Sequence, residues 1–270
     1  MDLFSELRNE KRLFLLAGPC VVENEATMFK TAEFLKEETS KRDITFVFKS
    51  SYKKANRTSI SSPVGVGLEE GLKLLQKIKK QFEVPILTDV HETTEVQSVA
   101  EVADILQIPA FLSRQTELLI EAGRSGKIVN IKKGQFMAPL DMKAATEKVI
   151  SVNNYNILLT ERGTSFGYHN LVVDFRSFAI LKQLKFPVVY DVTHSLQQPS
   201  IGNVSGGTPE FVPMMARAAV ATGMVNGLFI ETHPNPVDAL SDAQSMLPLH
   251  QIPEVLDGCL EILKVNNERL

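Results

Sequence analysis

The sequence predicts an α/β protein built as a closed (β/α)8 (TIM) barrel, and three observations predict it. Eight short apolar runs alternate with eight segments of helical period along the 270 residues, close to the roughly 250 residues of such a barrel. The apolar runs are nearly continuous rather than alternating, as strands buried on both faces by helices must be. Polar, chemically active side chains recur just past the runs, where a barrel keeps its active site.

The apolar runs are Leu13–Ala17, Thr45–Phe48, Pro85–Leu87, Ala103–Ile108, Ile128–Ile131, Ile157–Leu159, Val188–Tyr190 and Leu228–Ile230. Each reads as a strand. Between and after them lie Glu25–Lys41, Leu68–Gln81, Thr93–Glu101, Gln115–Arg124, Ala138–Val152, Phe175–Leu184, Pro209–Thr222 and the segment from Val237 onward, which read as amphipathic helices. No Ser/Gly/Pro linker interrupts the series, so one domain over 1–270 is expected, with 1–12 as an N-terminal extension. The competing doubly wound sheet would carry a glycine-rich phosphate loop after its first strand, and neither G-x-G-x-x-G nor G-x-x-x-x-G-K-[ST] stands there.

Composition narrows the function. A chain 44% hydrophobic and 23% charged is neither disordered nor fibrous, and it can hold a core without disulfide or metal staples. Lys plus Arg number 29 against 32 for Asp plus Glu, a net charge of −3 without a block of one sign, which excludes a general nucleic-acid or membrane-surface binder. Only Cys20 and Cys259 are present, as suits a reducing cytoplasm, and Cys259 reads as core packing. Lys11 and Arg12 before Leu13–Ala17 faintly resemble an export signal, but the run is short and Asp2, Glu6 and Glu10 crowd the segment that should be basic. A soluble cytoplasmic protein is expected.

Reading past each apolar run gives Cys20 and Glu23, Lys49, Asp89 and His91, Gln107, Lys132 and Lys133, Glu161 and Arg162, Asp191 and His194, and Glu231 and His233. One such residue is an ordinary loop residue. Recurrence at all the strand ends points to one polar site at the barrel mouth. Lys49, Lys54, Arg57, Lys132 and Arg162 are cations suited to phosphate or carboxylate, the arginines in bidentate fashion. Cys20, His194, Glu231 and Asp242 offer a thiolate, an imidazole and carboxylates, a mixture that suits a transition ion such as zinc, iron or manganese better than calcium or magnesium. Both groups also have plainer readings: a lone cysteine at a strand end is commonly a small buried hydrophobe, and His194 could donate to a backbone carbonyl.

Other motifs carry less. Gly163-Thr164-Ser165-Phe166-Gly167 fits the G-x-S-x-G elbow of serine hydrolases, but Tyr168 to Asn170 read as loop where the elbow requires a helix. Ser205 to Glu210 reads as a flexible, lid-like loop entering a helix, with Thr208 as N-cap and Pro209 in the first turn.

The strings Ala17-Gly18-Pro19-Cys20, Phe48-Lys49-Ser50-Ser51, Lys54-Ala55-Asn56-Arg57-Thr58-Ser59, Gln107-Ile108-Pro109-Ala110-Phe111-Leu112, Asn130 to Phe136, Thr160-Glu161-Arg162-Gly163, Asp191-Val192-Thr193-His194-Ser195 and Glu231-Thr232-His233-Pro234 closely resemble the 3-deoxy-D-manno-octulosonate 8-phosphate synthase family. The match runs in order from about Leu13 to beyond Asp242. The resemblance implies a homotetrameric barrel that condenses phosphoenolpyruvate with D-arabinose 5-phosphate and water, releases phosphate, and serves lipopolysaccharide synthesis.

Members with cysteine in the Gly-Pro-Cys position are metal-dependent and those with asparagine there are not, so Cys20 implies a divalent metal held by Cys20, His194, Glu231 and Asp242. By the same motifs Lys49, Lys54, Gln107, Lys132 and Arg162 would hold phosphoenolpyruvate. Asn56, Arg57, Thr58 and Asp89 would hold the sugar phosphate, with Ser51, Ala110 and Arg114 in support and the Arg57 loop serving a neighbouring subunit. This chain departs from the family where Ile60-Ser61-Ser62-Pro63-Val64-Gly65 replaces a pattern with histidine after isoleucine and arginine before glycine, and Thr58 replaces serine. The alternatives are the related synthase that uses erythrose 4-phosphate, whose sugar loop has proline where Ala55-Asn56 stand, and a barrel that binds sugar phosphates without turnover.

Overall fold

The computed structural model describes residues 2–56, 62–199 and 206–268. Eight parallel strands form the barrel: β1 (Phe14–Gly18), β2 (Thr45–Lys49), β3 (Ile86–Asp89), β4 (Ile105–Ile108), β5 (Ile128–Lys132), β6 (Ile157–Glu161), β7 (Val188–Asp191) and β8 (Gly227–His233). They pair in sequence order, and Phe14 to Gly18 of β1 align with Gly227 to Glu231 of β8 to close the ring. Closure brings backbones and rings into tight approach: a Cβ on Gly227 would lie 2.1 Å from the Phe14 ring, so only glycine fits.

The helices are α1 (Leu3–Leu7), α2 (Glu25–Ser40), α3 (Leu68–Phe82), α4 (Val96–Val102), α5 (Thr116–Arg124), α6 (Met142–Ile150), α7 (Arg176–Lys182), the single turn α8 (Val192–Ser195), α9 (Val212–Ala221) and α10 (Ile252–Glu268). Between strands and helices lies the larger of two apolar cores, which includes Cys259. The smaller core fills the bottom of the barrel with Phe14, Leu16, Val47, Leu87, Ile105, Ile128, Leu158, Val189 and Phe229. Leu7 of α1 is buried in it, with Leu3 and Phe4 packed alongside. The segment read as an extension is thus the plug of the barrel floor.

Side chains alternate along a strand, so the residue two places beyond each inward apolar one also points inward. Those residues are Gly18, Lys49, Asp89, Gln107, Asn130, Thr160, Asp191 and Glu231, with Lys132 one step above Asn130. An apolar floor is thereby topped by a polar layer. This corrects the strand boundaries: Lys49, Asp89, Lys132, Glu161, Asp191 and Glu231 lie within strands rather than in loops beyond them. The ladder hydrogen bonds are made by backbone and continue where apolarity stops.

The final helix also differs from the reading of helix from Val237 onward. After a short turn at Pro236–Asp238 the chain crosses the mouth irregularly, pairs Thr232 with Leu247, and begins α10 only at Ile252. Asp242 lies in the left-handed region at φ 50° within that crossing, which breaks any helix there. Thr164–Ser165 pairs antiparallel with Leu171–Val172, so the G-x-S-x-G string is one arm of a small hairpin and no helix follows its serine. Pro209 opens a 3-10 turn into α9 as expected, but Thr208 makes no side-chain cap, its hydroxyl lying 3.4 Å from the Leu196 carbonyl. Gly206–Gly207 of the expected lid pair with Gln197–Gln198, while Ser205 lies outside the described residues.

Candidate active site

A cavity of about 450 Å³ opens at the C-terminal ends of the strands, a volume ordinary for a small-molecule site. Lys49, Lys54, Asn56, Asp89, Gln107, Ala110, Lys132, Arg162, His194 and Asp242 all line it. Ser51 stands behind the wall and donates to the Asp89 carboxylate. Arg114 does not line the cavity: it is exposed, and its backbone carbonyl accepts from Lys148 Nζ at 2.8 Å. It lies beyond the 3-10 turn Ala110–Leu112, which ends the resemblance motif and turns the chain away into α5. Arg57, Thr58 and Ser61 lie outside the described residues.

Cations dominate the floor of the cavity. Lys49 Nζ donates to Glu231 Oε1 at 2.7 Å and lies 3.3 Å from the Cys20 carbonyl, and Lys54 Nζ stands 3.7 Å from the same Glu231 oxygen. Lys132 Nζ donates to Asp191 Oδ2 at 2.6 Å and sits 3.9 Å from the centre of the Phe229 ring, where the charged layer meets the apolar floor. Burial lowers the Lys132 pKa, and Asp191 offsets only part of that. Burial opposes the charge on Lys54 too, but the surrounding acids, Glu231, Asp89 and Asp242 among them, outweigh it and hold the ammonium. Arg162 is buried; its Nη2 reaches Gln197 Oε1 at 3.4 Å, while Nη1 has no hydrogen-bond partner among the described residues. A buried donor left unmatched costs about 1–3 kcal/mol, which an anion in the cavity would recover.

The carboxylates on this floor stay ionised. Burial alone would raise Asp191, but His194 and Lys132 outweigh it and push its pKa far down. Burial likewise opposes ionisation of Asp89, and Lys49 and Lys54 reverse it. Asp191 holds His194 at two points: it caps α8 by accepting the His194 N–H at 3.0 Å, and it faces His194 Nδ1 at 3.0 Å. The Asp-x-x-His spacing was the available signal for this role, since an aspartate at an N-cap reaches the backbone N–H two or three residues on.

A hydrogen-bond ladder runs around a third side of the barrel. An ionised carboxylate can only accept, so Asp89 requires the Gln107 amide to present its NH2 group, and Gln107 Nε2 donates to Asp89. Gln107 Oε1 must then accept, and Asn130 Nδ2 donates to it at 2.9 Å. Asn130 Oδ1 in turn accepts from Thr160 Oγ1 at 2.6 Å. Every amide in the row is oriented by the charge at its end. Asn130 and Thr160 do not themselves line the cavity, and beyond their place in the motif strings an Asn or Thr inside an apolar strand gave no sign of this role.

Cys20, Glu231 and Asp242 form a separate cluster whose donor atoms all lie within 4.8 Å of one another. Cys20 reaches it because a Cβ on Gly18 would fall 2.2 Å from the Lys49 carbonyl: glycine lets β1 and β2 close up. Beyond the strands Val22 N–H donates to the Ser51 carbonyl at 2.8 Å and carries the chain over. Cys20 Sγ lies 2.9 Å from Asp242 Oδ2 and 3.2 Å from Ser241 Oγ, a partner the sequence reading omitted. His194 is beside this trio rather than within it, with Nε2 3.7 Å from Glu231 Oε2. That Glu231 oxygen is buried and has no hydrogen-bond partner among the described residues. Burial and the two carboxylates drive the Cys20 pKa well up. A thiol, two acids and an unmatched buried oxygen in so small a space are the donor set a divalent transition ion fits.

Comparison with known proteins agrees with this geometry. The model of the DAHP synthetase I family matches residues 7–264. Among similar proteins, the 2-dehydro-3-deoxyphosphooctonate aldolase of Xylella fastidiosa is 54% identical over 258 residues, 95% of this chain and 93% of its own. The proteins of the same name from Syntrophotalea carbinolica and Desulfatibacillum aliphaticivorans are 55% and 53% identical over 249 and 253 residues. They cover 92% and 93% of this chain and 90% and 92% of their own length. That name is a synonym of the synthase family that the sequence motifs resemble.

Proposed function

Because the chain belongs to the DAHP synthetase I family, we propose that it carries the activity of these relatives: condensation of phosphoenolpyruvate with D-arabinose 5-phosphate and water to give 3-deoxy-D-manno-octulosonate 8-phosphate and inorganic phosphate. The observation that carries the reading is the buried, half-unmatched Arg162 guanidinium in a cavity that also gathers Lys49, Lys54 and Lys132. Such a floor calls for a small, multiply anionic substrate.

The chemistry follows the charge. Phosphoenolpyruvate is held by Lys49, Lys54, Gln107, Lys132 and Arg162, with Arg162 Nη1 on its phosphate. Asn56, Arg57, Thr58 and Asp89 receive the sugar phosphate, with Ser51 fixing Asp89. C3 of the enol attacks the aldehyde carbon, a C–C bond forms, and the aldehyde oxygen takes a proton. C2 becomes cationic and water adds there, losing one proton to leave a C2 hydroxyl; the C2–O bond to phosphate then breaks with its electron pair leaving on phosphate, as the hydroxyl gives its proton to the phosphate and becomes the C2 carbonyl. Fixing both reactants side by side removes much of the entropic barrier of a two-substrate reaction. Preset ammonium and guanidinium groups stabilise the departing phosphate.

Cys20, Glu231 and Asp242 are the residues that would hold a divalent cation, with His194, whose Nε2 lies 3.7 Å from Glu231 Oε2, as the fourth. Bound there, zinc, iron or manganese supplies Lewis-acid charge for a carbonyl or hydroxyl oxygen. No described helix is long and apolar enough to cross a membrane, in keeping with a cytoplasmic site of action. A homotetramer is the expected assembly, and exposed Phe111, Phe136, Phe166 and Tyr168 on the mouth-side loops support self-association.

The test is a coupled phosphate-release assay with phosphoenolpyruvate and each aldose phosphate in turn. Preference for arabinose 5-phosphate supports the reading. Preference for erythrose 4-phosphate moves the chain to its sister activity, and tight phosphoenolpyruvate binding without turnover under any divalent ion makes it a binding barrel.

A further inference from the structure

Glu23 and His233 take no part in the cavity wall, yet both are buried. Glu23 follows Cys20 by three residues and His233 follows Glu231 by two. Glu23 Oε2 lies 3.3 Å from His233 Nε2, and Glu23 Oε1 accepts the Leu240 N–H at 3.0 Å. His233 Nδ1 lies 2.6 Å from the Asn235 carbonyl. One carboxylate therefore ties the loop after β1 to the end of β8 and to the loop that follows it.

That second loop delivers Asp242, two residues past Leu240, in a left-handed backbone conformation at φ 50°. Such a conformation costs an aspartate about 1–3 kcal/mol and persists only where its surroundings over-determine it. Surrounding constraint is scarce: Asp242 O accepts from Ser245 N–H at 2.8 Å, and its carboxylate meets Cys20. On the other side Ser241 Oγ meets Cys20 Sγ at 3.2 Å, and the Glu23 bond to Leu240 is the next anchor.

We propose that Glu23 and His233 are positioning residues that clamp the Cys20 and Asp242 loops together, and so set the affinity of the Cys20–Glu231–Asp242 centre for a divalent cation. The inference rests on the reading of that trio as a metal centre. Neither residue touches the donor atoms of the trio. Glu23 acts by fixing the separation of two ligands that come from opposite ends of the chain, and His233 acts by holding the second oxygen of Glu23.

Cobalt binding tests it, read by the absorption of a cobalt–thiolate bond and by competition with a chelator, on the full-length metal-free protein. In Glu23→Ala the cobalt dissociation constant is expected to rise about 10- to 100-fold, the usual cost of losing an outer partner of a metal site. Glu23→Gln keeps an oxygen for Leu240 and should recover part of the loss; His233→Gln should fall between the two. Glu23→Gln is isosteric, so if Glu23→Ala does not fold the same comparison is made with Glu23→Gln and His233→Gln. Cys20→Ala separates the two ideas. If the parent binds cobalt through Cys20 while the clamp variants bind within twofold of it, the clamp is refuted and the metal centre stands. If the parent shows no cobalt–thiolate absorption, or Cys20→Ala binds as well as the parent, the centre fails and the clamp with it.

Discussion

Lys49 and Glu231 meet inside the barrel at 2.7 Å, from opposite neighbours of β1, and both are fully buried. Their pairing lets a carboxylate persist there: burial opposes its charge, while Lys49 leads the cations that hold the Glu231 pKa well below the ordinary carboxylate range. Lys49→Met should destabilise the metal-free protein by about 3–5 kcal/mol in urea unfolding, because it removes the one close partner of a buried charge and leaves Lys54 and His194, each at 3.7 Å. A loss under about 1 kcal/mol would show that the pair contributes little to folding.

The ladder from Thr160 to Asp89 predicts an effect at a distance. Thr160→Val keeps the shape and removes the hydroxyl that donates to Asn130 at 2.6 Å. It should cost about 1–3 kcal/mol of stability by leaving a buried amide oxygen unmatched. Because the row is hydrogen-bonded from end to end, loosening Asn130 should also let Gln107 present its amide less uniformly, and KM for phosphoenolpyruvate should rise more than kcat falls. An unchanged KM in steady-state kinetics would mean that Gln107 is held by Asp89 alone.

The plug helix makes the opposite prediction. Leu7 is fully buried against the barrel floor, far from the mouth. Leu7→Ala should lower stability by about 2–5 kcal/mol while leaving both KM values as they were. A selective loss of substrate affinity would tie the floor to the site and contradict the separation of the two layers.

How legible this was depends on which physical signal a residue leaves. The strands announced themselves through apolar runs, but each run stopped short where the inward polar layer began, so Lys49, Asp89 and Glu231 read as loop residues when they are strand residues. The cations and the cysteine were visible because charge and sulfur are rare in barrel strands. Ser241 was not, and Asn130 and Thr160 stood in the motif strings without a role, because a neutral polar residue takes its role from the partner that folding brings to it. The irregular path from Val237 to Gln251 was invisible for a related reason: a positive φ at Asp242 is decided by tertiary anchors, not by helical period.

Acid sensitivity should come in part from Glu95. Burial would raise its pKa, but hydrogen bonds from Lys53 and Tyr52 and from the His91 backbone outweigh this and hold it below the ordinary value of a glutamate. A folded-state pKa below the unfolded one contributes stability that is present above the unfolded value and is lost as pH falls through the folded one. Glu95→Gln should therefore narrow the drop in urea midpoint between neutral and acid pH; an unaltered pH profile would remove Glu95 from the account.

Metal removal is a separate expectation carried by Cys20, Glu231 and Asp242. Exhaustive chelation should abolish turnover, and zinc, iron or manganese should restore it. Full activity in protein shown by elemental analysis to hold no metal would contradict it.

The most direct measurement is the mass balance of a reaction run with equal amounts of phosphoenolpyruvate and arabinose 5-phosphate, followed by phosphorus NMR and mass spectrometry. For every phosphoenolpyruvate consumed, one pentose phosphate should disappear while one inorganic phosphate and one eight-carbon keto acid phosphate form. Pyruvate in place of the eight-carbon acid, or phosphate formed with the pentose untouched, would contradict the condensation.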